Sequence, residues 1–430
     1  MEEIKIALLG FGTVGQGVYE ILQKNKDIFE EKLGIKITVK KILVRDTNKK
    51  REVKAPLQLF TTDFKEILDD KEIAIVCELM GGLEPARSYV ISALSKGKQV
   101  VTANKAILAE YGAEIFDEAR KHGAFLGFEA SVGGGIPVIK TLNEALIGNR
   151  IERITGIING TTNYILTKML EQNISFDKAL EEAKSKGYAE ADPSLDLKGY
   201  DSAHKLSILA SLAFGSFIPF KRVYVEGIEN IDLMDLKFAK SFGYIIKLIA
   251  EAKRDKDKVE VRVHPALLSE NHILTSVRLN YNAILIKGDF VGEILLYGLG
   301  AGREPTASAV VGDIVSAIEY LLSKKSPLIP YPSKNGSVKI KPMKDCVFKY
   351  YFRFSAIDRP GVLSKISGIL GKYGISIASV VQIGRQKKKG AVPIVMLTHE
   401  AKEEKVERAL AEINTLDVLK GETKKLRIIE

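Results

Sequence analysis

Between Gly187 and Lys205 the chain reads GYAEADPSLDLKGYDSAHK. Glu190, Asp192, Asp196 and Asp201 crowd this short stretch, with Glu182 just upstream. Pro193 and Gly199 break it into turns, and an apolar run, LSILASLAF, follows at once. Asp201 and Lys205 are four residues apart, so a helix puts them on one face. An isolated pair of this kind is ordinarily a solvated ion pair worth about 0.2–0.5 kcal/mol. A turn-rich acidic segment feeding a buried helix has the form of a polar substrate site. The surrounding elements decide between the two.

The N-terminal elements supply a nucleotide fold. IKIALL at 4–9 has β character, GFGTVG follows at 10–15, and VYEILQKN continues with a helical pattern. Strand, GxGxxG and helix in this order form the dinucleotide-binding fingerprint. Gly10 allows the tight turn, Gly12 lets a pyrophosphate approach the backbone, and Gly15 lets helix and strand pack closely. The helix N-terminus offers unpaired N–H groups to phosphate. Glycines that merely shape a βα turn are the plainer alternative. The next strand, Lys36–Val44, ends at Arg45-Asp46, with Lys49, Lys50 and Arg51 beyond it. An acidic residue there takes a ribose 2′-hydroxyl and an arginine accommodates a 2′-phosphate. Arg45 and its basic neighbours favour NADP, while Asp46 keeps NAD open.

IAIVCELM (73–80), KQVVTANK and AFLGFEA are further strands, separated by helical segments, the first with Pro85 in its first turn. Repeated β-α-β units predict a doubly wound parallel sheet with ligands beyond the carboxyl ends of its strands. Lys105 stands at such an end, where a reacting ammonium is placed as naturally as a solvated lysine.

At 430 residues the chain exceeds one ordinary core, so two or three domains are expected. The formal charge of +10 comes from lysines dispersed among glutamates; the one tight run, Lys387–Lys389, reads as a hairpin turn. Neither nucleic acid nor a membrane is expected: no apolar run approaches the roughly 20 residues of a bilayer span. The acidic start, MEEIKIALLG, carries no signal-peptide pattern. Cys77 and Cys346 lack CxxC spacing, which suits a reducing, cytoplasmic compartment without zinc or disulfides. The Lys- and Glu-rich composition suits a thermophile's surface.

GFGTVG, GGLEPA, VVTANKA, FEASVGGGIP, GIINGTTNYIL and GYAEADPSLDLKGYDSAHK occur in one chain in this order, and from about residue 3 to residue 320 the sequence resembles homoserine dehydrogenase. The resemblance implies reversible NAD(P)H-dependent reduction of L-aspartate 4-semialdehyde to L-homoserine, on the route to threonine and methionine. It gives Lys205 the acid/base position, sets Lys105 against substrate or cofactor, and places Asp201 beside Lys205. Glu190 would bind the substrate amino group, with Asp196 a weaker candidate. Glu129 and the carbonyls of Val132, Gly134 and Ile136 match a monovalent-cation site, usually sodium; a plain glycine hinge is the alternative for that loop. Phe11, Thr13 and Val14 join Gly10, Gly12, Gly15 and Arg45 on the cofactor. His204 departs from the family pattern, which commonly has Arg before the lysine.

The chemistry suits these residue types. Hydride arriving at an aldehyde carbon leaves charge on its oxygen, which a lysine ammonium stabilises and protonates. Two converging lysines would lower each other's pKa, and Asp201 would orient them. GTTN at 160–163 opens a helix, so Thr161 and Asn163 are candidate donors to the substrate carboxylate.

Farther on, ERITGIING (152–160) reads as a strand and NYILTKMLEQ (163–172) as a helix, with another helix beginning near Ser175 and Asp177. Strand patterns at 240–300 suggest a mixed α/β substrate domain whose sheet pairs across a homodimer or homotetramer. GLGAGREPTASAVVGDIVSAIEYLL (298–322) resembles the segment returning to the nucleotide domain, where Gly300 and Gly302 either approach the nicotinamide by backbone contact or form an ordinary cap or loop.

A Pro-, Ser- and Gly-rich stretch at 326–342 reads as a linker. Beyond it, DRPGVL and GISIASV resemble an ACT domain, an amino-acid-binding module of ferredoxin-like βαββαβ form. Asp358 is the expected N-cap, with Pro360 in the first turn and Gly374 ending the helix. The resemblance puts an effector, L-threonine by pathway logic, around Asp358, Arg359, Gly361, Ile375 and Ile377; a module that only dimerises is the alternative. The expected division is a Rossmann-type domain at 1–130 with return segment 301–322, a substrate domain at 131–300, a linker at 323–344 and the ACT domain at 345–430. Two rivals remain: another Rossmann dehydrogenase carrying an ACT module, whose His–Arg arrangement is missing, and a nucleotide-binding amino-acid sensor without turnover.

Overall fold

The apolar run before GFGTVG forms strand β1, Glu2–Leu9, whose last four residues are buried. A strand with no wet face must lie inside a parallel sheet covered on both sides. β1 pairs in parallel with β2 (Ile35–Leu43) and β4 (Ile73–Glu78). With β3 (Phe60–Thr61), β5 (Gln99–Thr102) and β6 (Leu126–Gly127) the order is β3-β2-β1-β4-β5-β6, the dinucleotide-binding topology with its switch point beside β1. The computed structural model describes residues 2–323, 332, 338–382 and 390–429, so the expected turn at 387–389 and most of the expected linker lie outside the described residues.

The chain divides into two units: residues 1–160, 201–223 and 281–338, and residues 161–200, 224–280 and 339–430. In the first, helix α1 (Thr13–Lys24) packs against the helix Arg303–Ser323. A Cβ on Gly17 would come within 2.9 Å of the Ala307 methyl, so the glycine permits that approach. The Arg303–Ser323 helix is long and apolar enough to cross a membrane, yet Ala307, Val310, Ile314, Ala317 and Ile318 are buried in the nucleotide-domain core. Ile151–Ile157, Tyr281–Gly288 and Gly292–Leu299 form an antiparallel sheet. AFLGFEA yields only two strand residues. Gly127 sits under Asp313, 2.8 Å from where a Cβ would stand, and the Glu129 N–H donates to Asp313 at 2.7 Å, turning the chain away.

In the second unit Tyr244–Asp255 and Lys258–Ser269 form a long hairpin. Tyr224–Val225, Lys339–Ile340 and Lys424–Ile429 each add to the Lys258–Ser269 strand in parallel. Residues 339–340, expected as linker, are thus strand. Lys424–Ile429 also pairs with Val347–Ile357, followed by Ala391–Thr398 and, at the edge, Ile377–Gln382. Helices Val362–Lys372 and Glu403–Ile413 complete the βαββαβ module. Its first helix starts later than expected: Gly361, at φ +88°, is the N-cap, and Asp358 and Pro360 lie in the turn before it. A residue in the left-handed region resets the chain direction there, and glycine adopts it at no steric cost.

The helix Gly160–Gln172 is fastened by a buried lysine. Lys247 is 3% exposed, and its ammonium donates to Asn163 Oδ1 (2.8 Å) and the Val277 carbonyl (2.7 Å). The Asn163 amide in turn donates to the carbonyls of Val277 (3.2 Å) and Leu279 (2.9 Å). Burial pushes Lys247 down to about 8, against the attraction of Glu171. The depressed folded value means stability from the neutral amine is present above the ordinary lysine value of 10.5 and is lost as pH falls through 8. In urea titrations, wild-type stability relative to Lys247→Met is expected to climb across that window by at most about 1.4 kcal/mol per pH unit. A difference that stays flat with pH would exclude a depressed Lys247.

Candidate active site

Asp201 is the second residue of the helix Tyr200–Phe214, and Lys205 lies one turn on. The expected pair is buried: Asp201 is 7% and Lys205 8% exposed. Lys205 Nζ donates to Asp201 Oδ2 (2.7 Å) and to the Ile158 carbonyl (2.8 Å). Lys105, the first residue of the helix Lys105–Lys121 beyond β5, brings its Nζ within 3.1 Å of Asp201 Oδ1. Asn159 donates its amide to Asp201 Oδ2 at 2.8 Å. Burial alone would push this carboxyl up. The charges of Lys205 and Lys105, helped by hydrogen bonds from Lys205 and Asn159, hold it well below the carboxylate range. The site therefore keeps a permanent anion with an amine on each side. His204 points elsewhere, edge-on to Phe220 at 4.4 Å, and burial lowers its imidazole pKa.

A cavity of 670 Å³ opens beside GFGTVG, lined by Gly10, Phe11, Gly12, Arg45, Asp46 and Arg51 among others. Gly10 has φ +105° and faces the Leu79 carbonyl, and a Cβ on Gly15 would stand 2.3 Å from the Gly10 carbonyl. Nothing lies within 4 Å of a Cβ on Gly12, and no side chain caps α1, whose first turn holds Thr13 and Val14. An open glycine before an uncapped helix fits a pyrophosphate. Arg51 is committed to the carbonyls of Asp46 (2.6 Å) and Lys49 (2.8 Å) and lies over the Phe60 ring. The Arg45 side chain has no hydrogen-bond partner among the described residues.

The glycine-rich loop is tightly built. The Glu129 carboxylate accepts from the N–H groups of Ile139 (2.7 Å) and Lys140 (2.8 Å), and burial raises its pKa. Val132 and Ile136 are buried; a Cβ on Gly134, at φ +58°, would stand 2.6 Å from the Gly300 carbonyl carbon. A buried carboxylate is a hard oxygen donor of the kind a monovalent cation takes, and such an ion would relieve the burial penalty, although both of its oxygens already accept backbone N–H groups. Gly302, at φ +125°, immediately precedes the Arg303 helix.

In the second unit the Thr161 hydroxyl lies 2.6 Å from the Tyr188 carbonyl and 3.0 Å from Asp196 Oδ2. Glu190 is exposed, without a side-chain partner among the described residues. Asn163 has its amide engaged by Lys247 and the 277–279 segment, so binding a ligand would require giving up one of those bonds. In the C-terminal module Asp358 accepts from Gln382 (3.3 Å) and Arg359 pairs with Asp417 (3.1 Å). Gly361 caps the helix, Ile377 opens the edge strand, and Ile375 turns its side chain into the module's core.

Two contributors escaped the sequence reading. Asn159 sits inside the GIINGTTN motif, where only the residues after it drew notice. Glu78 ends a buried strand and accepts from the N–H groups of Met80 (2.9 Å) and Gly81 (3.2 Å) and from the Thr102 hydroxyl, shaping a wall of the cavity. A carboxylate in an otherwise apolar parallel strand was the available signal.

Comparison with known proteins agrees with this geometry. The family model "Homoserine dehydrogenase" matches residues 137–315, "Homoserine dehydrogenase, NAD binding domain" residues 10–129, and "ACT domain" residues 350–418. A homoserine dehydrogenase of Synechocystis sp. is 43% identical over 99% of both chains. The solved structure of a homoserine dehydrogenase from Thiobacillus denitrificans, 44% identical, superposes with a TM-score of 0.94 over 100% of this chain and 99% of its own. A hyperthermophilic archaeal homoserine dehydrogenase in complex with NADPH, 30% identical, covers 74% of this chain and 98% of its own with a TM-score of 0.63. With its nicotinamide-nucleotide domain, its buried Asp201–Lys205 pair flanked by the part-exposed Lys105, and its C-terminal ACT domain, the chain belongs to the homoserine dehydrogenase family of oxidoreductases.

Proposed function

We propose that the enzyme reduces L-aspartate 4-semialdehyde reversibly to L-homoserine, toward threonine and methionine, with Lys205 as the proton donor. The observation that carries this is the Asp201 carboxylate buried between two primary amines. When bound, the nicotinamide nucleotide supplies or accepts the hydride. Lys205 protonates the carbonyl oxygen as charge develops on it, and takes the proton back in the reverse direction. Asp201, with Asn159 and the Ile158 carbonyl, fixes the Lys205 ammonium, while Lys105 adds positive charge beside it. Glu190 holds the substrate α-ammonium with Asp196 nearby, and Thr161 faces its carboxylate, with Asn163 joining only by exchanging one of its bonds to the 277–279 segment.

The unpaired Arg45 in the cavity supports NADP over NAD, as does the NADPH-bound archaeal relative. Glu129 and the carbonyls of Val132, Gly134 and Ile136 hold a monovalent cation, sodium, that stiffens the loop. The proposed division of labour is a nucleotide domain at 1–130 with 301–322, a substrate domain at 131–300, a linker at 323–344 and a regulatory domain at 345–430. The assembly is a homodimer or homotetramer in the cytoplasm, and L-threonine inhibits through the ACT module around Asp358, Arg359, Gly361, Ile375 and Ile377.

Lys205→Ala is expected to lower kcat by about 10²-fold or more while NADPH binding persists. Turnover near the wild-type rate would reject the assignment. Removing the ACT module is a poor test of threonine sensitivity, because Lys424–Ile429 pairs with Lys258–Ser269 and truncation would expose that strand. Initial rates of full-length wild type and Arg359→Ala, titrated with NADPH, NADH and L-threonine, avoid this. NADPH should be preferred, and only the wild type should be inhibited. Equal inhibition of the variant would move the effector site elsewhere.

A further inference from the structure

Arg427 lies in the last strand and is fully buried. Its Nε and Nη2 donate to Glu403 at 2.9 and 2.6 Å, which anchors it within the ACT module. The rest of the guanidinium reaches outside that module. Nη1 and Nη2 donate to the two carboxylate oxygens of Glu226 at 2.8 and 3.0 Å, and Nη2 also reaches the Tyr224 hydroxyl at 3.0 Å. Glu403 also binds Lys425 and Tyr350, so two cations share that carboxylate and Glu226, from outside the module, supplies the second anion.

Glu226 begins the backbone bed on which the substrate segment lies. Its N–H donates to the Val263 carbonyl at 2.8 Å. A Cβ on Gly227 would stand 2.1 Å from the Leu197 carbonyl oxygen, and the Ile228 N–H donates to that same oxygen at 2.8 Å. Gly199, at φ +83°, leaves only 3.2 Å between its Cβ position and the Glu226 carbonyl. Packing this close transmits a displacement of Glu226 to residues 197–199 rather than absorbing it. Asp196 immediately precedes that stretch, and the helix carrying Asp201 begins immediately after it.

We propose that Glu226 and Arg427 are positioning residues for the substrate: their bidentate pair lets the chain's final strand set the place of the 190–201 segment. The ACT module thereby acts on homoserine binding through its own β-strand. The proposal rests on the reading that Glu190 and Asp196 hold the substrate. A charged pair fits this role because a two-pronged guanidinium–carboxylate contact fixes direction as well as distance.

Full-length Glu226→Gln, Arg427→Met and their double variant, compared with Glu190→Gln, test it. Glu226→Gln is expected to raise the homoserine KM about tenfold and leave the NADPH dissociation constant within about twofold. The double variant should be little worse than either single one, as for residues acting as a unit. If Arg427→Met does not fold, Glu226→Gln alone decides. An unchanged homoserine KM in Glu226→Gln, with a raised one in Glu190→Gln, overturns the positioning role alone. An unchanged KM in Glu190→Gln overturns the substrate reading and this inference with it. Equal weakening of homoserine and NADPH binding would mark general loosening and also overturn it.

Discussion

The Asp201 carboxylate is the constraint around which the first unit is built. Taking a carboxylate out of water costs several kcal/mol, and it stays ionised only because Lys205, Lys105 and Asn159 converge on it. Each partner comes from a different part of the chain. One helix turn supplies Lys205, the end of β5 supplies Lys105, and the segment after the strand Ile151–Ile157 supplies Asn159. Removing any of them takes away a charge or a hydrogen bond that keeps the buried carboxylate ionised, so the contacts that stabilise Asp201 also keep the amines in place for proton transfer.

The nucleotide cavity adds a second requirement, open space beside the glycine loop, to the charged residues at its far side. Gly12 is open, whereas Gly15 is closed by the Gly10 carbonyl, so one glycine serves the ligand and the other serves packing. Glu78 adds a polar scaffold beneath the wall of the cavity and leaves the surface to backbone and apolar groups. Arg45 stands within this space while Arg51 is spent on its own loop.

Local signals made much of this legible. The strand–glycine–helix fingerprint and the four-residue spacing of Asp201 and Lys205 encode geometry within a few residues, and both take the expected form. The ACT module's βαββαβ order was readable from its alternation. Its first cap was not, since Asp358 satisfies the N-cap preference and only the turn geometry selects Gly361 instead. Residues 339–340 read as linker because their strand partner lies at 258–259, far back in the sequence. Lys247 and Arg427 were illegible for the same reason. A lysine in a strand and an arginine near a terminus suggest solvent, and their burial depends on Asn163 and Glu226, which no local pattern connects to them.

The central claim concerns a carboxylate that keeps two amines fixed, and Asp201→Asn addresses it most directly, since the amide preserves shape and removes only the charge. Steady-state turnover of this variant with L-homoserine, measured beside its NADPH dissociation constant, separates chemistry from cofactor binding. A fall in kcat of about 10²-fold or more with the dissociation constant unchanged is expected. A kcat equal to that of the wild type would contradict it.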